Sequence, residues 1–376
     1  MISRGREWLS KQKECMKVAL VYDRVNKWGG AERVLLALHK LFPQAPLYTS
    51  VYNAQNAAWA NDFAIKTSFL QRVPGASSHH ELLPLFMPIA FESFSFDKYD
   101  LVISITSEAA KGIITKPTTR HVCYCLTPTR YLWSGYDTYF PDKAIQTLTY
   151  PAIAALRLWD KTAAQRPDIM IAISEEVKTR IKKFYQRDAA VIYPPTDLTR
   201  EHETKKSSSP PPYYLVVSRL SHFTRYKRID LAVAACTALK LPLKIIGTGN
   251  WQKELQAKAG PTVEFLGSVP DDELATYYKN ASALLFPGLE DFGLTVVEAQ
   301  RFGTPVIAFR GGGAKETIRE GRTGIFFNKQ TKYSLMQALR QFDVSQFNQR
   351  DCKLHAAKFG FKKFEKDFLS LVQNGF

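Results

Sequence analysis

Apolar residues along the chain fall into short runs, separated by longer stretches in which they recur every three or four positions. Residues 17–22 form the first run, and residues 31–41 then carry Val34, Leu35, Leu38 and Leu41 at helical spacing. Further strand-like runs at 101–105, 122–125, 169–173 and 191–193 are separated by helix-length segments. The alternation resumes at Tyr214 and continues through 243–247, 263–267, 283–287, 305–308 and 324–327. Strands alternating with helices predict parallel sheets covered on both faces, an α/β protein. Between the two series, residues 199–212 include Lys205-Lys-Ser-Ser-Ser-Pro-Pro-Pro, the polar and proline-rich composition of an exposed connection. The expected organisation is an N-terminal extension over 1–16, a first domain over 17–195, a linker over 196–212, a second domain over 213–355 and a C-terminal segment over 356–376.

Composition narrows the class. A chain of 376 residues fits two domains, with 45% apolar and 23% charged residues supplying packed cores and excluding wholesale disorder. No window approaches the roughly 18–20 apolar residues of a membrane span. The N-terminus lacks the apolar core of a secretory signal, so a soluble cytoplasmic protein is expected. Five cysteines (Cys15, Cys123, Cys125, Cys236 and Cys352) are scattered without a CxxC pair, which reads as buried thiols rather than a zinc site or disulfide framework. The formal charge is +16, divided as +8 on either side of Pro195. That even spread is not the basic stripe of a nucleic-acid binder. It suits a protein that handles phosphorylated ligands and touches an anionic membrane face.

Both domains read as Rossmann-like, doubly wound sheets, which bind ligands at the carboxyl ends of their strands. The expected active site is therefore the cleft between them. Glu290 and Glu298 bracket a strand–loop–helix transition at such an edge of the second domain. Carboxylates accept from paired sugar hydroxyls, and the N–H groups of Phe292, Gly293 and Leu294 would line the helix N-terminus. The competing reading of Glu298 is an ordinary solvated helix residue, against which stands the apolar stripe that follows it. Arg219 and Lys227 follow the first strand of this domain, where a fork and a point charge suit a diphosphate. Arg225 and Arg228 are alternatives from the same run, and all four are also readable as an ordinary solvated charge run. Gly29-Gly30 closes the first strand of the chain and lets backbone approach a ligand. Gly247-Thr-Gly249 reads as a tight turn.

In combination, Glu290 with Glu298, Arg219 with Lys227 and the Gly29-Gly30 loop resemble the retaining GT-B glycosyltransferases of family 4, the glycosyl transferases group 1. The likeness runs from about Lys17 to the C-terminal helix. It also takes in Tyr99-Asp-Leu-Val-Ile-Ser104, Ile173-Ser-Glu-Glu-Val177, Tyr193-Pro-Pro-Thr-Asp197 and Gly303-Thr-Pro-Val306. The resemblance implies that Glu298 binds the nucleotide ribose and Glu290 the donor sugar hydroxyls, with Arg219 and Lys227 neutralising the departing diphosphate. Arg219, Lys227 and Glu290 are the implied catalytic residues. Gly29, Gly30, Gly267, Val269, Asp291, Phe292, Gly293, Leu294 and Glu298 are the implied donor-binding residues. The helix at about 362–373 would cross back onto the first domain.

Two departures stand out. Relatives often read YCHTPxRYxW where this chain has Tyr124-Cys-Leu-Thr-Pro-Thr-Arg-Tyr-Leu-Trp133, so Leu126 replaces a histidine and forfeits any proton chemistry there. His121, five residues earlier, points to the opposite face of the strand and is no substitute. The stretch from Arg219 to Lys227 is also longer than in relatives. No DxD motif occurs, and Asp271-Asp-Glu273 reads as a helix cap, so no metal or other cofactor is expected beyond the nucleotide-diphosphate sugar co-substrate.

The expected activity is transfer of a hexose, mannose among the candidates, to a lipid-linked or growing glycan acceptor in cell-surface polysaccharide synthesis. The alternatives are a sugar phosphorylase of the same fold, a donor-binding protein without turnover, and a nucleic-acid-binding protein. On the acceptor side, basic residues 178–187 are readable as a lipid-facing helix or a solvated one. Apolar residues 82–90 are readable as a guide for a lipid tail or as a core helix. A peripheral position at the inner face of the plasma membrane follows from the former readings.

Overall fold

The computed structural model describes residues 16–79, 81, 83–196 and 211–373. The expected extension before Met16, Cys15, Leu82 and most of the expected linker lie outside the described residues. The chain divides into two compact units, Met1–Tyr193 with Glu365–Phe376 and Pro194–Phe364.

The first unit is built on a seven-stranded sheet of order β3-β2-β1-β4-β5-β6-β7. Its strands are β1 (Val18–Tyr22), β2 (Leu47–Thr49), β3 (Ile65–Thr67), β4 (Leu101–Thr106), β5 (Arg120–Cys125), β6 (Ile169–Ala172) and β7 (Ala190–Val191). All pairings are parallel, with Leu20 opposite Ile103 on one side and Leu47 on the other. β1 and β4 are buried along their whole length, as expected of central parallel strands with both faces covered. The main helices are α1 (Gly30–Leu41), α2 (Met87–Glu92), α3 (Lys143–Ala163) and α4 (Glu175–Tyr185). Val34, Leu35, Leu38 and Leu41 form the buried stripe of α1.

The second unit has a six-stranded parallel sheet of order β10-β9-β8-β11-β12-β13. Its strands are β8 (Tyr214–Val217), β9 (Leu243–Ile246), β10 (Val263–Gly267), β11 (Ala283–Phe286), β12 (Val306–Phe309) and β13 (Gly324–Phe327). The helices that matter below are α5 (Ile229–Leu239), α6 (Asp271–Asn280), α7 (Leu294–Arg301), α8 (Gln349–Ala356) and α9 (Phe361–Gln373). From Glu365 onward α9 belongs to the first unit, where Phe368 packs edge-on to Phe42 at 6.5 Å. Both sheets follow the Rossmann strand order, and each reverses direction of winding next to its first strand. The α/β class and the two Rossmann-like domains expected from the sequence are therefore present.

Several local expectations change. Asp271, Asp272 and Glu273 lie in the first turn of α6 and do not cap it, because Pro270 holds the cap position. They face the positive end of the helix dipole instead. The apolar stretch around α2 is only partly core. Met87, Ala90 and Phe91 are buried, while Leu85, Phe86 and Ile89 are about half exposed. On α4, Val177, Ile181 and Tyr185 face inward, and Phe184 stacks on Trp133 at 5.3 Å. Its lysines decorate an ordinary amphipathic helix. Cys123, Cys125, Cys236 and Cys352 are buried free thiols. Burial pushes Cys123 up to about 11 and Cys236 and Cys352 up to about 12, so little thiolate forms at neutral pH.

Candidate functional site

In the second unit the winding reverses between β8 and β11, and the loops leaving these two strands meet. The chain after β8 passes through Arg219 into a short 3₁₀ turn, His222–Lys227, opened by a Ser221/Thr224 capping box. Lys227 Nζ, at the end of this turn, donates to Glu290 Oε2 at 2.8 Å. Both side chains are about four-fifths buried, at 18% and 19% exposure. Burial pulls the Lys227 ammonium down, but the adjacent Glu290 carboxylate and its hydrogen bond more than compensate and hold it above the usual lysine range. Arg219 opposes this from nearby, so two cations share the neighbourhood of one carboxylate. The Arg219 side chain is exposed, while its carbonyl accepts from Thr224 Oγ1 at 3.0 Å.

Main chain without side chains makes this closeness possible. A Cβ on Gly288 would lie 2.6 Å from Lys227 Cα. Gly312 has φ +59°, and a Cβ there would lie 2.3 Å from the Glu290 carbonyl oxygen, while Gly313 N–H donates to that oxygen at 2.9 Å. Glu290 is thus held through its backbone on one side and its carboxylate on the other.

Glu298 occupies the second turn of α7 and is only 7% exposed. Its Oε2 accepts from the hydroxyl of Tyr278 on α6 at 2.8 Å. Tyr278 is itself buried and stacks on Phe302 at 5.8 Å, so the carboxylate is oriented from behind by a rigid ring. Glu298 is therefore not a freely solvated helix residue. Between the two glutamates, Asp291 is half-buried, Phe292 is buried, and Gly293 caps α7 with φ +91°. Leu294 is the first residue of the helix. Gly267 ends the edge strand β10 with φ +72°, open space lying where a side chain would be, and its carbonyl accepts from Gly247 N–H at 2.7 Å. Val269 packs on the core beneath. The structure thus joins Lys227 to Glu290, places Arg219 in the same loop after β8 with its side chain exposed, and sets the other second-unit candidates on loops and helix starts along the same sheet.

Gly29 and Gly30 belong to the first unit, where Gly29 caps α1 in an extended conformation. The carboxyl edge of that sheet carries residues the sequence reading passed over. Asp23, 2% exposed, follows β1 and accepts from Thr106 Oγ1 (3.0 Å) and from the N–H groups of Ser107, Glu108, Ala109 and Ala110 (2.6–3.0 Å). It bolts β1 to the loop after β4, where this sheet also reverses. Lys111 and Asp160 form a buried ion pair at 2.5 Å. Asp160 also accepts from Thr129 Oγ1, Trp133 Nε1 and Tyr185 OH. That network fixes Thr129 and Trp133 in the segment after β5, in which Leu126 is also buried. A lone carboxylate directly behind an apolar strand was the one available signal for Asp23. Arg24 pairs with Glu108 at 2.7 Å on the same edge, and burial pushes the Glu108 carboxyl up. Among the described residues, no three His, Cys, Asp or Glu side chains converge as metal ligands. No described helix is long and apolar enough to cross a membrane.

Known proteins share both the fold and part of the sequence. The chain is 28% identical over 252 residues to D-inositol 3-phosphate glycosyltransferase of Corynebacterium urealyticum, covering 58% of this chain and 59% of that protein. A glycosyltransferase of Methanocaldococcus jannaschii without assigned function is 25% identical over 217 residues, 56% of this chain and 58% of its own. The chain thus spans less than two thirds of the length of these curated relatives. Among solved structures, Anabaena HepE in complex with UDP and glucose superimposes with a TM-score of 0.70 at 19% identity, over 95% of this chain and 99% of that one. Sucrose-phosphate synthase from Thermosynechococcus elongatus gives 0.70 at 16% identity, over 95% and 98%. These likenesses identify the fold as that of the GT-B class. Residues 198–357, which contain the Arg219, Lys227, Glu290 and Glu298 positions, match the family model described as Glycosyl transferases group 1.

Proposed function

We propose that the protein is a retaining glycosyltransferase that moves a hexose from a nucleotide-diphosphate sugar to a lipid-linked or growing glycan, without a metal ion. The observation that carries this reading is the Lys227–Glu290 pair with Arg219 beside it, at the point where the second sheet reverses. A diphosphate leaving group develops charge as the glycosidic bond breaks, and preformed cations stabilise it without reorganising. Lys227 and Arg219 supply them, and Glu290 accepts from the hydroxyls of the donor sugar. Glu298, oriented by Tyr278, accepts from the ribose. The acceptor attacks on the face the diphosphate leaves, and the leaving oxygen takes the acceptor proton. Leu126 fits that scheme, because it needs no protein base. A UDP-hexose is the first donor to assay, given the bound UDP and glucose of the HepE structure.

A peripheral position at an anionic membrane is part of the same proposal. Residues 144–156 of α3 contain no charged side chain and are flanked by Lys143 and Arg157. Leu148 is 83% and Leu158 71% exposed on that helix. This outer face is a better support for lipid contact than α4.

The test is thermal unfolding with UDP, GDP, ADP and their sugar conjugates, in EDTA and then with Mg²⁺. Ligand at 100 times its dissociation constant stabilises the fold by about 2.7 kcal/mol. One nucleotide should act, equally with and without metal, and its effect should vanish in Glu298→Ala and Arg219→Ala. Silence from every nucleotide overturns the donor-site assignment.

A further inference from the structure

The backbone enters the second unit at Pro194 and leaves it after Phe364, and residues near these two points are hydrogen-bonded to each other. Thr196 is 1% exposed, and every polar atom it has is used. Its N–H and its Oγ1–H both donate to the Phe359 carbonyl, at 3.0 and 3.2 Å. Its own carbonyl accepts from Arg301 Nη1 at 2.6 Å. Arg301 is the last residue of α7, three positions after Glu298. Phe359 in turn sets its ring edge-on to Phe292, with centroids 5.5 Å apart, and both rings are almost fully buried. Phe292 stands two residues after Glu290. One junction therefore touches both candidate carboxylate segments, α7 through Arg301 and the Glu290 loop through Phe292.

The supports of the Glu290 loop show why this matters. Gly313 N–H holds the Glu290 carbonyl, which passes close to Gly312, and Lys227 holds the carboxylate. The following side of the loop rests on the Phe359 ring. His355 backs that ring at 5.6 Å, so Phe359 has aromatic contact on two sides. A buried ring between two others has few rotamers to visit, and it fixes where the loop turns into α7.

We propose that Thr196 and Phe359 are positioning residues for the nucleotide-sugar site, setting donor affinity by holding the Glu290 loop and α7 in register. This rests on the donor-site reading above. Neither residue needs to touch the donor. Substitution should weaken donor binding while the unit stays folded.

The experiment is calorimetric titration of the full chain with UDP, GDP and ADP, in wild type, Phe359→Leu, Phe292→Leu, their double variant and Thr196→Val. Unfolding curves are recorded alongside. The expected result is one nucleotide bound by wild type, with affinity reduced about fivefold to tenfold in Phe359→Leu, the scale of one aromatic pair. The double variant should lose no more than Phe359→Leu alone, because both changes break one contact. Thr196→Val exchanges the hydroxyl for a methyl group of similar size and is the readout should Phe359→Leu fail to fold; it should weaken binding of the same nucleotide. Donor KM should rise in these variants and acceptor KM should not, a split that a general loss of stability does not produce. A folded Phe359→Leu or Thr196→Val that binds as tightly as wild type overturns the clamp and leaves the donor site standing. Wild type that binds none of the three nucleotides overturns the donor-site reading and the clamp with it.

Discussion

His121 is fully enclosed on β5, with Nε2 2.7 Å from Ser104 Oγ on β4. Burial, reinforced by the charges of Arg187 and Arg166, pushes its imidazole down to about 3. The folded protein therefore resists a proton that the unfolded chain accepts near pH 6.5. Stability from this residue is full above pH 6.5 and is lost as pH falls toward 3, at up to about 1.4 kcal/mol per pH unit. His39 and His355, also lowered by burial, act in the same direction. His121→Gln should flatten the stability profile between pH 6.5 and 5 in urea titrations, and an unchanged slope would contradict the assignment. Lys227 behaves oppositely, its charge being favoured by Glu290. Lys227→Met leaves Glu290 without that counterion, so nucleotide binding should fall about tenfold to a hundredfold, the worth of one charge-assisted hydrogen bond. The paired glutamates were legible because they flank a strand–loop–helix transition eight residues apart. Tyr278 behind Glu298 was not, since α6 meets α7 only through the tertiary fold.

Helices and long central strands announce themselves by pattern, and short edge strands do not. β1 is an unbroken apolar run of five residues, and β4 is a fully buried stretch of six that is apolar except for Ser104 and Thr106. β2 and β3 are the tripeptides Leu47–Thr49 and Ile65–Thr67, which no periodicity distinguishes from loop. They are strands because β1 offers an edge, Leu20 pairing with Leu47 and Leu47 with Ile65. The α2 region errs in the other direction. Its apolar content suggests burial, yet three of its large side chains face outward next to α3, tied there by Trp159 Nε1 donating to Glu92 at 2.7 Å. Helix amphipathicity reports that an apolar face exists, and not what covers it. If an anionic bilayer does, Leu148→Glu with Leu158→Glu should abolish co-sedimentation with phosphatidylserine-containing vesicles. The melting temperature should hardly change, because both side chains are exposed at 83% and 71%. Retained vesicle binding by this variant would exclude the α3 face.

Each unit owns an apolar core, one around Ala19, Val102 and Phe91, the other around Val216, Leu285 and Ile307. Domains with separate cores can unfold in separate steps. The Asp23 carboxylate and the Lys227–Glu290 cluster then become independent handles, since the first serves only the first unit and the second only the other. Replacing Asp23 with Asn keeps the shape but turns an acceptor of several N–H groups into a partial donor, leaving N–H groups without an acceptor inside the protein. The cost should be about 3–5 kcal/mol, as for other broken buried charge networks. Calorimetric scans of wild type and Asp23→Asn, each with and without the nucleotide that binds, separate the contributions. Asp23→Asn should lower the melting temperature of one transition, and nucleotide should raise that of the other, with each effect unaltered by the presence of its counterpart. Melting as a single transition, shifted by both, would show instead that the two units unfold as one cooperative body. In that case the Asp23 change and the nucleotide would shift one shared transition in opposite directions, their effects adding, even though Asp23 lies in the unit that does not carry Glu290 and Glu298.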